Sequence, residues 1–384
     1  MVSIPQTSPF VAIQNTKAYP NTQAVLEKLK TSTKEIYIFG GIQGGISLGS
    51  MVRDFCDRNG VEIKGHIVNK AFKNGTHFRG KEVFTLESWD KSKDVAIIIG
   101  TADVKAKTKI LREYGFYDFY FLNVFRDEVY LQGCTQGFEE YFSSHLREFE
   151  TTYHLLADDV SREVMKGYLQ DRIYNNYDTL ASTRDSKAFF SDVLGLGKNE
   201  VMIDCGAYDG DTCLAFAKLV PEYSHIFALE PDTSILAILK ENTASLRCSI
   251  IPKGASHKKE TLRFSTKDSG TSHADSNGSI TIECDSIDNL LQLERERERE
   301  REQSYFKNPI SFIKMDIEGG ELNALQGAKH TIKTYKPKLA ICAYHKREDL
   351  ITLPQYILSL YPNYKIFLRN RNPVAEDTIL LCVP

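Results

Sequence analysis

Short apolar runs ending in an acid or a glycine recur along this chain, and each is followed by residues at helical spacing. The first such unit runs from 36–39 through the turn Gly40-Gly41-Ile42-Gln43-Gly44-Gly45 to a helical stretch ending near Asn59 and a second run over 61–68. A strand over 94–100, a helix over 104–114 and a strand over 118–122 complete a small open α/β domain. From Val201 the pattern resumes, with strands over 201–204, 226–230, 249–252, 310–316, 338–343, 365–368 and 378–382 and helices between them. Strands alternating with helices predict a largely parallel sheet covered on both faces.

The stretches between these regions differ in character. Residues 1–33 read as a polar arm with one short helix over 22–30, and the first α/β domain occupies 34–125. Residues 126–195 place Phe138, Tyr141, Phe142, His145, Leu146 and Phe149 at helical spacing, which predicts a helical connector packed on the second domain, 196–384. Such a stripe is ordinarily core, and the lining of an acceptor cleft is the alternative. Within the second domain, 261–265 and 279–284 flank a Gly/Ser-rich turn and predict an extra β-ribbon able to cover a ligand. The strict Glu-Arg alternation over 294–302 pairs like charges at i,i+4 and opposite charges at i,i+3, so a solvated linker is expected, at the sheet end away from the active site. An alternating A/G dinucleotide repeat would encode this tract, which makes a slippage switch in the gene the alternative to an ordinary charged linker.

At 384 residues the chain is long enough for two cores, and 48 Lys plus Arg against 51 Asp plus Glu leave a formal net charge of −3. No global basic field draws it to nucleic acid. The cysteines are scattered without a C-x-x-C pair or metal-ligand spacing, which fits reduced thiols in a cytoplasm; no metal site is predicted. The first residues lack the basic and apolar regions of a leader, and no stretch has the length of a membrane span. A soluble, cytoplasmic protein is expected, of undetermined oligomeric state.

The chemistry concentrates at three strand ends. The run Val201-Met202-Ile203-Asp204 enters the turn Cys205-Gly206-Ala207-Tyr208-Asp209-Gly210-Asp211-Thr212, a glycine-containing strand-to-helix turn of the kind that cradles nucleotide-like ligands. Asp204, Asp209 and Asp211 make this turn suit a sulfonium cation and repel a pyrophosphate. The next strand ends in Glu230-Pro231, where a doubly wound sheet places a carboxylate on ribose hydroxyls, or where the acid favours a helix start. A third run ends in Lys314-Met315-Asp316-Ile317-Glu318-Gly319-Gly320-Glu321. The glycine turn after 36–39 fits a dinucleotide less well, because Ile42 stands where the second glycine of G-x-G-x-x-G belongs and Asn69 where an acid belongs. That domain is read as structural or acceptor-binding.

Taken together, the D-x-G-A-x-x-G-D-T turn, the acid-Pro pair and K-x-D-x-E-G-x-E, in order and at suitable spacing, resemble the FkbM family of S-adenosylmethionine-dependent methyltransferases over about residues 155–384. The resemblance implies a seven-stranded, Rossmann-like class I methyltransferase domain, closed by a terminal hairpin with one antiparallel strand and preceded here by the smaller Rossmann-like α/β domain and the connector. It implies S-adenosyl-L-methionine as cofactor, held by Asp204, Gly206, Ala207, Tyr208, Asp209, Gly210 and Glu230, with Asp285 on the adenine side or as a helix cap. Methyl transfer from a sulfonium requires alignment and removal of the acceptor's proton. Asp316 is placed as base or helix cap, Lys314 beside it on the strand, and His345 after the neighbouring strand is the best-placed histidine for a general base. Asp316, Glu318 and His345 together are also the right types for a divalent cation, which the resemblance does not require. The expected acceptor is a small molecule or glycan hydroxyl, as in a surface glycan or secondary metabolite. The readings from other classes are a nicotinamide-dependent oxidoreductase using the Gly40 turn, and a non-catalytic binding protein with a degenerate methyltransferase domain.

Overall fold

The computed structural model describes residues 4–41, 48–101, 104–122, 124, 137–266, 272–274, 280–300, 308–372 and 374–384. After helix α1 (Thr22–Lys30), the first sheet takes β1 (Glu35–Phe39), β2 (Ile63–Val68), β3 (His77–Phe78), β4 (Lys81–Thr85), β5 (Val95–Ile99) and β6 (Phe119–Phe121), in the order β3-β4-β2-β1-β5-β6. All pairs are parallel except the edge hairpin β3–β4. Helices α1 and α2 (Leu48–Arg58) bury Val25, Leu29, Val52 and Phe55 on one face, while α3 (Val104–Glu113) lies on the other with Leu111 beside Tyr37 and Trp89. Gly41 lies so near the start of α2 that a Cβ there would stand 2.4 Å from Gly49 Cα. This glycine thus allows close turn-to-helix packing; the rest of the turn, Ile42 to Gly45, lies outside the described residues.

From 137 on, the connector expected over 126–195 is helical, with α4 (Phe138–Ser144), α5 (Leu146–Leu155), α6 (Asp159–Tyr174) and α7 (Asp178–Thr183), while 126–136 lie outside the described residues. Asp158 caps α6 by accepting from Ser161 N at 2.8 Å, and Asn175 ends it in the left-handed conformation. Phe138, Phe142 and Phe149 are buried together, so the aromatic stripe is core. The arm expected over 1–33 does not stand apart. Phe10 and Ile13 are fully buried in this same core, Phe10 edge-on to Phe142 and Tyr153, and Tyr19 N donates to Tyr174 O. Burying one such ring stabilises by roughly 1.5–3 kcal/mol, enough to tether the polar residues around it.

The second large sheet starts with β7 (Val201–Cys205), β8 (His225–Leu229) and β9 (Cys248–Ile251). A small sheet follows from β10 (Gly254–Ser256), β11 (Glu260–Thr266), β12 (Ser272–Ala274) and β13 (Ile280–Ser286), then the large sheet resumes with β14 (Phe312–Met315), β15 (Lys338–Cys342), β16 (Lys365–Asn370) and β17 (Thr378–Val383). The seven-stranded order is β16-β17-β15-β14-β7-β8-β9, with β17 antiparallel to both neighbours, as the terminal hairpin was expected to be. Strand order reverses between β7 and β14, which puts the switch point beside Asp204 and Asp316. The ribbon forms as predicted by antiparallel β11–β13 pairing, joined by β10 and β12.

Helices α8 (Asp211–Leu219), α9 (Leu236–Thr243), α10 (Ile287–Glu300), α11 (Glu321–Gly327), α12 (Lys329–Tyr335) and α13 (Asp349–Leu360) accompany these strands. The Glu-Arg tract departs from expectation: through Glu300 it is helix, the continuation of α10. Ile287, Leu290 and Leu291 are buried and nucleate that helix. Glu and Arg, both good helix formers, propagate it, with Arg297 on Glu294 as an i,i+3 pair. Beyond it Asn308 donates to Ser224 Oγ, just before β8 begins, at the sheet end opposite the switch point.

Candidate functional site

Asp204 and Lys314 are register partners in the parallel β7–β14 pair, and this adjacency organises everything above them. The Asp204 carboxylate is fully buried. One oxygen accepts from Thr212 Oγ1 at 2.6 Å and from Cys213 Sγ at 3.3 Å, and the other stands 2.9 Å from Lys314 Nζ. Lys314 Nζ also donates to Gly206 O at 2.8 Å. Burial alone would lower the Lys314 pKa, but the Asp204 and Asp316 carboxylates outweigh it and hold the ammonium well above its ordinary value. Lys314 was expected to work beside Asp316; instead its side chain is buried beneath the turn with its donors committed to Asp204 and Gly206.

The turn above is drawn tight. Gly206 has φ +78°, and a Cβ on it would stand 2.0 Å from the carbonyl oxygen of Asp316. The N–H groups of Gly206 and Ala207 both donate to Leu229 O, at 3.0 and 3.1 Å. Tyr208, half exposed, adopts φ +47°, a conformation costly for a tyrosine, and its N–H donates to Glu230 Oε2 at 2.8 Å. Glu230 Oε1 accepts from Asp232 N at 2.8 Å. Each Glu230 oxygen thereby keeps a lone pair, and burial raises its pKa. Asp209 stays at the turn, accepting from Asp211 N at 3.2 Å, and Gly210 caps α8 from the left-handed region. Asp285 is buried and locally engaged, with Ser286 N and Asn289 Nδ2 each at 2.8 Å, while the hydroxyl of Ser286 accepts from Asn289 N at the start of α10.

The third strand end brings acids around one histidine. His345 Nδ1 lies 2.9 Å from Glu321 Oε1, and its Nε2 lies 3.6 Å from Asp316 Oδ1 and 3.5 Å from Glu318 Oε2. Burial works to lower the His345 pKa, but Glu321 first, then Glu318 and Asp316, overcome it and push it up to about 10. The imidazole expected as a general base is thus an imidazolium at neutral pH, with no lone pair to accept a proton. Asp316, about a quarter exposed, receives the Tyr344 hydroxyl at 3.4 Å. Although burial opposes it, the Lys314 ammonium and then His345 hold its carboxyl below the usual range. Asp349, buried at the start of α13, is pushed up to about 7 by burial and the nearby Glu321. Among the described residues no group of His, Cys, Asp and Glu side chains has an arrangement that could hold a metal ion.

These placements carry a stability signature. A histidine whose pKa rises from 6.5 to about 10 on folding contributes stability that is complete below pH 6.5 and is lost as pH rises through 10. Thermal unfolding of the wild type should fall more steeply between pH 7 and 10 than that of His345→Gln, by several degrees. Parallel curves would show that the imidazolium is absent.

Residues 204–361 match the model of the Methyltransferase FkbM domain. This segment is an FkbM methyltransferase domain. The crystallised methyltransferase FkbM from Methylobacillus flagellatus KT shares the fold along nearly the whole chain, with TM-score 0.62, 23% identity, and coverage of 97% of this chain and 98% of that one. Two further solved structures align more loosely. The precorrin-6y C5,15-methyltransferase from Geobacter metallireducens has TM-score 0.31 and 13% identity over 51% and 85% of the two chains. Aeropyrum pernix fibrillarin has TM-score 0.31 and 9% identity over 52% and 76%. No curated protein matches the sequence.

Within the FkbM domain, the three strand-end motifs therefore converge, as their order in the sequence implied. Sequence reasoning missed Thr212, Tyr344 and the loop after β16. Thr212 lies inside the motif, as the second residue of α8, and the i+8 spacing from Asp204 was the available signal. Tyr344 immediately precedes His345. Among the described residues no helix is long and apolar enough to cross a membrane.

Proposed function

We propose that the chain is an S-adenosylmethionine-dependent methyltransferase acting on a hydroxyl of a sugar or other small hydroxylated metabolite, in the cytoplasm and without a nucleic-acid partner. The observation that carries this reading is Glu230. It is a carboxylate at the second strand end, bonded to the Tyr208 and Asp232 amides, with one lone pair per oxygen left for a diol. The residues fit the cofactor: Gly206, Ala207, Tyr208, Asp209 and Gly210 form its backbone cradle and Glu230 its ribose contact, with Asp285 toward the adenine. Asp204 serves by fixing the turn through Thr212 and Lys314. When bound, the sulfonium supplies an already activated methyl group.

What this chain's residues add is acceptor placement. Asp316 accepts the proton of the acceptor hydroxyl, which becomes strongly acidic as the new C–O bond forms, so a weak carboxylate base suffices. Tyr344 and the His345 imidazolium position Asp316, the latter anchored by Glu321. The buried Lys314 ammonium, bonded to Asp204 and Gly206, acts on Asp316 only through its charge, which helps hold that carboxylate ionised.

Calorimetry should show binding of S-adenosylhomocysteine and not of NAD. Asp316→Asn should retain that affinity while methyl transfer falls by about a hundredfold or more, the usual scale for losing a general base. NAD binding without S-adenosylhomocysteine binding would replace this reading by an oxidoreductase, and chelator treatment should leave activity unchanged.

A further inference from the structure

We propose that the loop joining β16 to β17 reads the acceptor through the Arg371–Asp377 pair and Asn372, and that it selects an uncharged, hydroxyl-rich ring over anionic acceptors. This deepens, and rests on, the methyltransferase reading above. Arg371 Nη2 donates to Asp377 Oδ1 at 2.9 Å, its backbone N–H donates to Asp377 O at 3.1 Å, and the Asn372 amide donates to the other Asp377 carboxylate oxygen. The guanidinium lies 5.3 Å from the centre of the Phe189 ring, against which the Lys314 ammonium also rests at 5.6 Å. Ala343 N donates to Thr378 O at 2.9 Å, so the loop opens directly beside Tyr344, whose hydroxyl reaches Asp316.

The loop is held from behind by α6. Asp171 Oδ2 accepts from Ala375 N at 2.9 Å, and Arg172, buried, spans Glu376 at 2.7 Å and Tyr344 O at 3.0 Å. Arg371 is therefore a fixed fork with its side chain 38% exposed. Among the described residues Asp377 is the hydrogen-bond partner of its guanidinium, which leaves Nε and Nη1 open. A rigid planar fork with its charge already matched donates to neutral oxygens such as neighbouring ring hydroxyls. An unmatched fork would prefer a carboxylate or phosphate. The remaining charges agree: Asp316 and Glu318, each about a quarter exposed, give the mouth a negative surplus that repels an anionic acceptor.

The test uses the full chain saturated with S-adenosylhomocysteine and ligand-observed NMR. The probes are the methyl glycosides of glucose, galactose and mannose against D-glucuronate and glucose 6-phosphate. At least one neutral glycoside should bind ten times or more tighter than both anions. Arg371→Gln should lose that binding while keeping S-adenosylhomocysteine affinity. Asp377→Asn, which leaves the fork unmatched and keeps a side chain of the same shape, should raise D-glucuronate affinity at least tenfold. Absence of glycoside binding to the loaded protein, equal binding of neutral and anionic probes, or wild-type preference in both variants would overturn the proposal. Failure to bind S-adenosylhomocysteine at all would instead remove the methyltransferase reading, and this proposal with it.

Discussion

Gly206→Val should abolish S-adenosylhomocysteine binding and lower the unfolding free energy by several kcal/mol at once. The sequence argument for this glycine was close approach to a ligand. The structure supplies a nearer neighbour: the Asp316 carbonyl oxygen, 2.0 Å from where a Cβ would stand. Strain at φ +78° costs about 1–3 kcal/mol, and forcing the β7 turn away from the β14 turn costs about as much again. Because that displacement separates the Gly206 turn from Asp316, it disturbs both proposed halves of the site. Urea unfolding and calorimetry on the same preparation check the result. A variant with wild-type stability that has lost binding alone would restore the ligand as the reason for the glycine, and one with wild-type values in both would remove the glycine from the argument.

The strand ends were legible because apolar runs closed by an acid encode them directly. Asp204, Glu230 and Asp316 stand at the β7, β8 and β14 ends, where the runs put them, and the helical connector followed from its periodicity in the same way. What each acid or base does there was not legible, because it depends on partners from other elements. Lys314 looked like a neighbour of Asp316 along the strand, yet the β7–β14 register sets it beside Asp204. His345 read as the best-placed histidine for a general base, but its protonation is decided by Glu321 on α11, with Glu318 and Asp316 adding to it. The edge strand β3 was missed because a two-residue strand has no period to detect and exists by pairing onto β4. The Glu-Arg tract was misread for a related reason: its own charges cancel, and helix is propagated into it from the buried start of α10.

Lys314→Met should destabilise the fold strongly and thereby separate a structural lysine from a catalytic one. Removing the ammonium leaves the Asp204 carboxylate, fully buried, without its counter-ion, a change that typically costs about 3–5 kcal/mol. Thr212 and Cys213 still donate to one oxygen, but neither offsets a full charge. Asp204→Asn alone strands the ammonium in the same way. The double variant Asp204→Asn/Lys314→Met removes both charges while keeping an oxygen for Thr212, so it should be more stable than Lys314→Met by about 2 kcal/mol or more. That non-additivity, measured by denaturant unfolding, is the diagnostic. A lysine acting in proton transfer at the cleft would behave in the opposite way, with Lys314→Met as stable as the wild type, turnover lost, and no recovery when Asp204 is also changed.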